Sequence, residues 1–272
     1  MPLPAYLSGD RLVLESTARR ESRAVALNGD AVLCRVLGKY LMFAAPDDDS
    51  VTPHLVLNGY WESWTTLAIA RVLRSGMHAV DVGANHGYFS LMMADAAGPE
   101  GRVLAIEPNP RLSALIVRTM AANGFGSWTS VVASAAAASD LERARLAIPR
   151  RCWADATIRQ EGPDDDVVDV PTVTVDGATA GWNRVDLIKI DTEGSEEAVW
   201  SGMDRTIRQN PGIIIVMEFK RDSYVEPRLL LDRIHSYRFP LRHVDDSGAL
   251  QPLSVQTLSD DRGGEWTLFL QR

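Results

Sequence analysis

The 272-residue sequence contains only 2 cysteines and no long apolar run. Cys34 and Cys152 lie far apart and show no Cys-x-x-Cys or Cys/His ligand spacing, which excludes a disulfide-stapled scaffold and a zinc module. Residues 1–10 lack the segments of a signal peptide, and apolar runs such as 213–217 are far too short to cross a bilayer. These absences predict a soluble, cytoplasmic protein without a membrane span.

Positive charge is scarce as well. Lys and Arg number 28 against 36 Asp and Glu, which gives a formal net charge of −8 and an isoelectric point near 5.2. Binding of nucleic-acid phosphates requires a concentrated Lys/Arg surface, so we expect no nucleic-acid partner. Hydrophobic residues, at 46%, are numerous enough for a sizeable core, which excludes collagen-like and intrinsically disordered chains.

What the sequence does contain is a regular alternation of strand and helix patterns after residue 61. The strand patterns lie at 78–82, 103–106, 131–134, 185–190 and 212–217. The helix patterns lie at 89–97, 110–123, 196–209 and 226–237. Strands separated by helices predict right-handed crossovers, and therefore an α/β fold with a doubly wound, mostly parallel, Rossmann-like sheet.

The two ends of the chain depart from this alternation. Short β-like runs separated by turn residues predict a small β-rich appendage over residues 1–60, at 11–15, 24–27, 31–36 and 40–44. A linking helix at 63–73 opens the second domain, residues 61–272. In the tail, 240–244 and 266–270 resemble strands with no helix between them, which predicts an antiparallel pair at the sheet edge. The acidic run 47–49 is typical of an exposed loop.

The strongest local motif spans residues 79–89, where a strand carries Asp81, a turn follows with Gly83 and Gly87, and a helix begins. Glycine lets a ligand approach the backbone, and a helix N-terminus offers free N–H groups. Glu107 closes the next strand, where an acid can accept hydrogen bonds from ribose hydroxyls. The layout therefore indicates a nucleotide-like cofactor, unless the glycines serve only a tight turn.

Two cofactors fit this layout. A dinucleotide fingerprint, Gly-x-Gly-x-x-Gly, requires glycine at the position of Asn85. The carboxylate of Asp81 would repel a pyrophosphate, whereas it suits a cationic ligand such as S-adenosylmethionine. The residues thus favour a methyl donor, and an NAD-dependent oxidoreductase stays as the alternative.

A second motif, residues 185–197, places Asp191 and Glu193 at the carboxyl end of a buried strand. Ligands bind at this edge of open α/β sheets. Two acids at a strand tip repel each other unless a ligand, a cation or a hydrogen-bond donor offsets them. Ser195 is a predicted N-cap of the helix that follows.

Taken in order, segments 81–90, 107–109, 137–140, 187–196 and 216–218 resemble the FkbM-type S-adenosylmethionine-dependent methyltransferases. The spacing agrees over residues 57–220, and the Asp-x-Glu-Gly segment is the specific part. The resemblance implies a class I methyltransferase fold with an antiparallel last strand. It also implies methyl transfer to a hydroxyl of a sugar, glycan or other small-molecule natural product. A non-catalytic S-adenosylmethionine-binding module is a further alternative, and the acidic isoelectric point disfavours RNA methylation.

The resemblance also implies which residues form the site. The predicted cofactor-binding set comprises Glu62, Asp81, Gly83, Ala84, Asn85, Gly87, Tyr88, Phe89, Glu107, Pro108, Asn109, Ser134, Ala135 and Asp191.

An acceptor hydroxyl must lose its proton during methyl transfer. Asp191 is the first candidate for the general base, followed by Glu193 and His86. A second route is a Mg²⁺ ion, held by Asp191 and Glu218 at the ends of neighbouring strands, that lowers the pKa of the acceptor. We expect the acceptor pocket to be built from loops 46–64 and 150–166, and nothing in the sequence predicts the oligomeric state.

Overall fold

The computed structural model describes residues 3–27, 29–140, 142–158, 162–224, 226–261 and 263–272. Within these ranges, every helix is too short or too polar to cross a membrane.

The N-terminal part contains a short antiparallel sheet and two helices. In chain order these elements are α1 (Arg11–Glu21), β1 (Arg23–Leu27), β2 (Ala31–Val36), β3 (Tyr40–Ala44) and α2 (Thr52–Leu57). The predicted strand at 11–15 is wrong. The carboxylate of Asp10 caps the helix by accepting from the N–H of Val13 at 2.9 Å, and Leu14 and Ala18, four residues apart, are buried on one face.

The remaining elements alternate as predicted through most of the chain. The helices are α3 (Ser63–Val72), α4 (Tyr88–Ala97), α5 (Pro110–Ala122), α6 (Val175–Ala178), α7 (Glu196–Ser201), α8 (Asp204–Gln209), α9 (Pro227–Ser236) and α10 (Val255–Asp260). The strands are β4 (His78–Val82), β5 (Arg102–Ile106), β6 (Thr129–Val132), β7 (Ala135–Ala136), β8 (Arg143–Ile148), β9 (Asp166–Val173), β10 (Leu187–Ile190), β11 (Ile214–Lys220), β12 (Arg242–Val244), β13 (Leu250–Pro252) and β14 (Glu265–Gln271).

The central sheet has eight strands in the order β13-β12-β14-β11-β10-β4-β5-β6. Strands β11, β10, β4, β5 and β6 run parallel to one another. The pairs β11–β14, β14–β12 and β12–β13 are each antiparallel, so β14 and β13 run opposite to the five parallel strands and β12 runs in the same direction as they do. Successive residues of β4 belong to different buried clusters. Ala79 packs in one cluster with α3 and α4, and Val80 packs in another with α7 and α8. Both faces are therefore covered, as parallel sheets require. The predicted doubly wound, Rossmann-like α/β fold is confirmed.

Three details differ from the sequence-based expectations. The predicted helix 196–209 is broken at Gly202, where a β carbon would lie 2.2 Å from the carbonyl oxygen of Ala137. The tail contains a helix, α10, capped by Ser254, and β13 rather than β14 forms the sheet edge. A third sheet, β7-β9-β8, was not predicted.

The N-terminal sheet shares its core with the central domain. Tyr40 donates a hydrogen bond to Asp95 of α4 at 2.7 Å, and Cys34, Met42 and Leu91 belong to one buried cluster. The division into residues 1–60 and 61–272 stays a prediction.

Candidate active site

A cavity of about 300 Å³ lies at the carboxyl edge of the central sheet, where β4, β5, β10 and β11 end. Open α/β sheets bind ligands in crevices at this edge. Most of the residues predicted from the sequence line the cavity: Glu62, Gly83, Ala84, Asn85, His86, Tyr88, Phe89, Glu107, Pro108, Ala135, Asp191, Glu193 and Glu218. Four predicted residues that the structure describes are not part of the lining: Asp81, Gly87, Asn109 and Ser134.

The turn between β4 and α4 brings the backbone close to its neighbours. Gly83 has φ +72°, and a β carbon there would lie 1.7 Å from the carbonyl oxygen of Asp191. At Gly87, with φ +83°, a β carbon would lie 2.9 Å from Ile116. The packing of the chain itself therefore requires both glycines. Asn85 adopts φ +51°, a strained conformation of the kind that is concentrated at functional sites.

The carboxylate of Glu107 is held by two backbone amides. Its Oε2 accepts from the N–H of Asn85 at 2.7 Å, and its Oε1 accepts from the N–H of Asn109 at 2.8 Å. Burial raises the pKa of Glu107 to about 8, against the opposing effect of these hydrogen bonds. Each oxygen keeps a further lone pair, so the carboxylate can also accept from two adjacent hydroxyls, as ribose presents them.

A buried lysine links the two motifs. Nζ of Lys189 lies 2.9 Å from Oδ2 of Asp191 and 4.8 Å from the centre of the Phe89 ring. Burial opposes the charge of Lys189, but the carboxylates of Asp191 and Asp81 outweigh it and raise its pKa. Asp81 is fully buried and accepts from the hydroxyl of Ser90 at 2.6 Å. Its Oδ1 has no hydrogen-bond partner among the described residues, and burial raises the pKa of this carboxyl group.

Three carboxyl groups cluster beside this lysine. One oxygen from each of Asp191, Glu193 and Glu218 lies within 4.8 Å of the others. Burial, followed by the charge of Asp191, raises the pKa of Glu193 to about 8 and that of Glu218 to about 10. The same two causes raise the pKa of Glu62 to about 7. The structure therefore brings the predicted base and both predicted metal ligands together, and adds Glu193 to them.

His86 is placed differently from the other catalytic candidates. Its ring is 1% exposed, and both ring nitrogens form contacts within the protein. Nε2 accepts from the N–H of Ala45 at 3.1 Å, and Nδ1 lies 2.5 Å from Oδ1 of Asn85. Burial lowers the pKa of His86 to about 4, against the charge of Asp48. This geometry favours a positioning role over the predicted proton-accepting role.

The lining also includes residues to which the sequence assigned no specific role, among them Lys189 and, within the predicted pocket loop 150–166, Trp153. A lysine inside an otherwise apolar strand, 187–190, is a detectable signal, because a buried charge requires a partner. Trp153 is buried, and the guanidinium of Arg111 lies 4.2 Å from the centre of its ring. No local pattern marks that contact.

The predicted N-cap is also different. Ser195 stands at the N-cap position of α7, but its hydroxyl makes no capping bond and has no partner among the described residues. Instead, Oε1 of Glu196 accepts from the N–H groups of Thr192 at 2.8 Å and of Gly194 at 3.3 Å. A side chain of the helix's first turn thus closes the segment that carries Asp191.

The fold and this site define a class I, S-adenosylmethionine-dependent methyltransferase. Residues 81–240, more than half of the chain, match the methyltransferase FkbM domain, and the chain belongs to that family.

The individual proteins that resemble the chain either share little sequence identity with it or match only a short part of it. Among solved structures, the chain is similar to precorrin-6y C5,15-methyltransferase from Geobacter metallireducens GS-15, at 11% identity and a TM-score of 0.44 over 78% of this chain and 89% of that one. It is also similar to a SAM-dependent methyltransferase from Aquifex aeolicus, at 14% identity and a TM-score of 0.40 over 73% and 83% of the two chains. A protein-L-isoaspartate O-methyltransferase from Triticum aestivum is 50% identical over 40 residues, which span 15% of this chain and 17% of that protein.

Proposed function

We propose that this enzyme transfers the methyl group of S-adenosylmethionine to a hydroxyl of a sugar, glycan or other small natural product. The observation that carries the proposal is the cluster of Asp191, Glu193 and Glu218 in the same cavity as the glycine turn and Glu107. A donor site and proton-accepting groups then lie side by side, as hydroxyl methylation requires.

The residues present fit the donor. Glu107 is preorganised to accept from ribose hydroxyls, and Tyr88 and Phe89, the first residues of α4, line the cavity beside Asn85. The carboxylate of Glu62, which lines the cavity, suits the ammonium group of the methionine end, and the buried carboxyl group of Asp81, outside the lining, keeps an unpartnered acceptor oxygen among the described residues. S-adenosylmethionine supplies a methyl group on a positively charged sulfur, which an oxygen nucleophile can displace. Glu62, Asp81 and Glu107 are all acids and offer no positive charge to a pyrophosphate, which disfavours the alternative of a dinucleotide.

Asp191 and Glu193 have different proposed roles toward the acceptor hydroxyl. Asp191 is fixed by its ion pair with Lys189 and is well placed to bind and orient a hydroxyl. Glu193, whose pKa is raised to about 8, lies closer to the ideal for taking a proton near neutral pH. We therefore propose Glu193 as the base and Asp191 as the orienting group. The Mg²⁺ ion predicted at Asp191 and Glu218 stays a prediction, for which Glu193 would offer a third oxygen ligand, and full activity after EDTA treatment would exclude it.

The charges around the cluster support a particular acceptor class. Among the described residues, seven carboxyl groups and two lysines line the cavity: Glu62, Glu107, Asp155, Asp191, Glu193, Glu218 and Glu265, with Lys189 and Lys220. Carboxylates accept hydrogen bonds from hydroxyl and ammonium groups and repel phosphates. We therefore propose a neutral polyhydroxylated acceptor or one that bears an amine. Both cysteines are free thiols, which supports the proposed cytoplasmic location.

The experiment has two stages. Titration calorimetry with S-adenosylhomocysteine, with NADH as the control ligand, should show binding of the first alone, and Asp81→Ala should weaken it. Methyl release is then measured with neutral sugars, amino sugars and sugar phosphates as acceptors. We expect turnover with one of the first two classes, reduced by about 10² or more in Glu193→Gln with donor affinity retained. Binding of NADH alone, or turnover with sugar phosphates alone, would contradict the proposal.

A further inference from the structure

His86 belongs to the glycine turn, but its ring is bound to the N-terminal part of the chain. Nε2 accepts from the backbone N–H of Ala45 at 3.1 Å. A neutral imidazole that accepts at Nε2 carries its proton on Nδ1. Nδ1 lies 2.5 Å from Oδ1 of Asn85, so it donates to that side chain. The hydrogen bonds therefore fix both the tautomer of His86 and the orientation of Asn85.

Asn85 in turn forms a hydrogen bond to Glu107, the carboxylate proposed to bind ribose. Its backbone, at φ +51°, is in a conformation that residues with a β carbon rarely adopt. Its N–H donates to Oε2 of Glu107 at 2.7 Å. A continuous chain of hydrogen bonds thus runs from Ala45 through His86 and Asn85 to Glu107.

Asp48 connects the same N-terminal segment to a second part of the cavity lining. Asp48 is 1% exposed, although the sequence predicted an exposed loop at 47–49. Its Oδ1 accepts from the N–H of Trp153 at 3.1 Å, and its Oδ2 accepts from the N–H groups of Val51 and Thr52, each at 2.9 Å. Trp153 and the neighbouring Ala154 both line the cavity.

We propose that residues 45–48, here called the N-terminal strap, fix the lining of the donor pocket at two points. Through His86 the strap fixes Asn85 of the glycine turn, and through Asp48 it fixes Trp153. The inference rests on the proposed function, because it takes the cavity to be the S-adenosylmethionine site. His86 and Asp48 are then positioning residues, and the N-terminal part of the chain is a component of donor binding rather than of the acceptor pocket alone.

Two substitutions of His86 separate its two hydrogen bonds. In His86→Asn the amide nitrogen takes the place of Nδ1, so the donor to Asn85 is kept and the acceptor for Ala45 is lost. In His86→Gln the amide takes the place of Nε2, so only the acceptor for Ala45 is kept. Each variant loses one hydrogen bond, and we expect similar decreases in melting temperature. Affinity for S-adenosylhomocysteine should fall about tenfold in His86→Gln and less than threefold in His86→Asn.

The strap's second attachment has a matched control in the next residue. Both oxygens of Asp48 accept from backbone N–H groups. In Asp48→Asn the NH₂ group would face one of these donors without forming a hydrogen bond, and we expect about tenfold weaker binding of S-adenosylhomocysteine. Asp49 is 51% exposed and its carboxylate pairs with the 79% exposed Arg151, so Asp49→Asn should bind as the wild type does. Long-range ¹H–¹⁵N spectra should place the ring proton of His86 on Nδ1. The signal of His86 is assigned as the one that is absent from the spectrum of His86→Gln.

The outcomes separate the two proposals. A wild-type protein that does not bind S-adenosylhomocysteine overturns the proposed function. A wild type that binds it, with affinity unchanged in His86→Gln and Asp48→Asn, overturns the strap alone. A ring proton on Nε2 of His86, or equal losses of affinity in His86→Gln and His86→Asn, would also overturn it.

Discussion

Gly83 and Asp191, 108 positions apart in the sequence, are in backbone contact: a β carbon on Gly83 would lie 1.7 Å from the carbonyl oxygen of Asp191. The N–H of Asp191 donates to the carbonyl of Val82, the residue before Gly83, at 3.0 Å. The glycine turn and the acid-bearing turn are therefore fixed against each other by neighbouring strands. The distance between the donor site and the carboxyl cluster follows from that contact.

The first prediction concerns Gly83→Ala. The added methyl group meets a backbone oxygen that cannot move without displacing β10, and φ +72° is unfavourable for alanine. We expect a loss of at least about 2 kcal/mol in the free energy of unfolding and no measurable binding of S-adenosylhomocysteine. Urea denaturation and calorimetry measure the two effects. Gly126→Ala is the control, since a β carbon there meets no atom within 4 Å; equal effects of the two substitutions would contradict the prediction.

Much of the central fold could be predicted because its signals are local. Buried parallel strands are short apolar runs, and glycines and prolines mark the ends of the helices between them. The errors fall where local signals conflict. Residues 11–15 contain a short apolar run, Leu12 to Leu14, that resembles a strand, and the helix is decided by the cap from Asp10 and by burial of Leu14 and Ala18. In β8 and β9, exposed charged residues such as Arg143 and Asp169 hide the strand pattern.

Only those residues of the site that lie in local sequence motifs could be predicted. Asp191, Glu193 and Glu107 follow strands directly, so the topology places them at one edge. The contact between Asp48 and Trp153 joins residues 105 positions apart, and it depends on how two loops meet. The role of His86 depends on Ala45 in the same way. Histidine is common among catalytic residues, so the sequence suggested that His86 accepts a proton. Its hydrogen bonds in the folded chain instead give it a positioning role.

The second prediction concerns Lys189, the buried cation of the site. Lys189→Met removes the charge that offsets Asp191, Asp81 and Glu62 and leaves an uncompensated cluster of carboxylates. We expect the free energy of unfolding at pH 7 to fall by about 3–5 kcal/mol. Lys220→Met is the control, because its pair with Glu265 is 39% and 58% exposed and should contribute less than about 1 kcal/mol. Comparable losses in the two variants would be evidence against Lys189 as the central counter-ion.

The third prediction is a pH dependence of stability. The pKa values of Glu62, Glu107, Glu193 and Glu218 are raised to about 7, 8, 8 and 10 in the folded protein, from an ordinary value of 4.5. Between pH 5 and 8 the folded chain therefore holds protons that the unfolded chain has lost, and its stability must fall as the pH rises. Urea denaturation across this range measures the slope for the ligand-free protein. Glu107→Gln should flatten it, and a stability that increases from pH 5 to 8 would contradict the prediction.

The fourth prediction compares two ligands that differ by one methyl group and one positive charge. Raising the pH from 6 to 8 ionises Glu62 and part of Glu107 and Glu193, which makes the cavity more negative. S-adenosylmethionine carries the sulfonium charge and S-adenosylhomocysteine does not, so the ratio of their affinities should shift toward the methionine form by about threefold to tenfold. Calorimetry at both pH values gives this ratio, and Glu62→Gln should reduce the shift. A ratio that is constant or that moves toward S-adenosylhomocysteine would show that these carboxyl groups do not face the sulfonium.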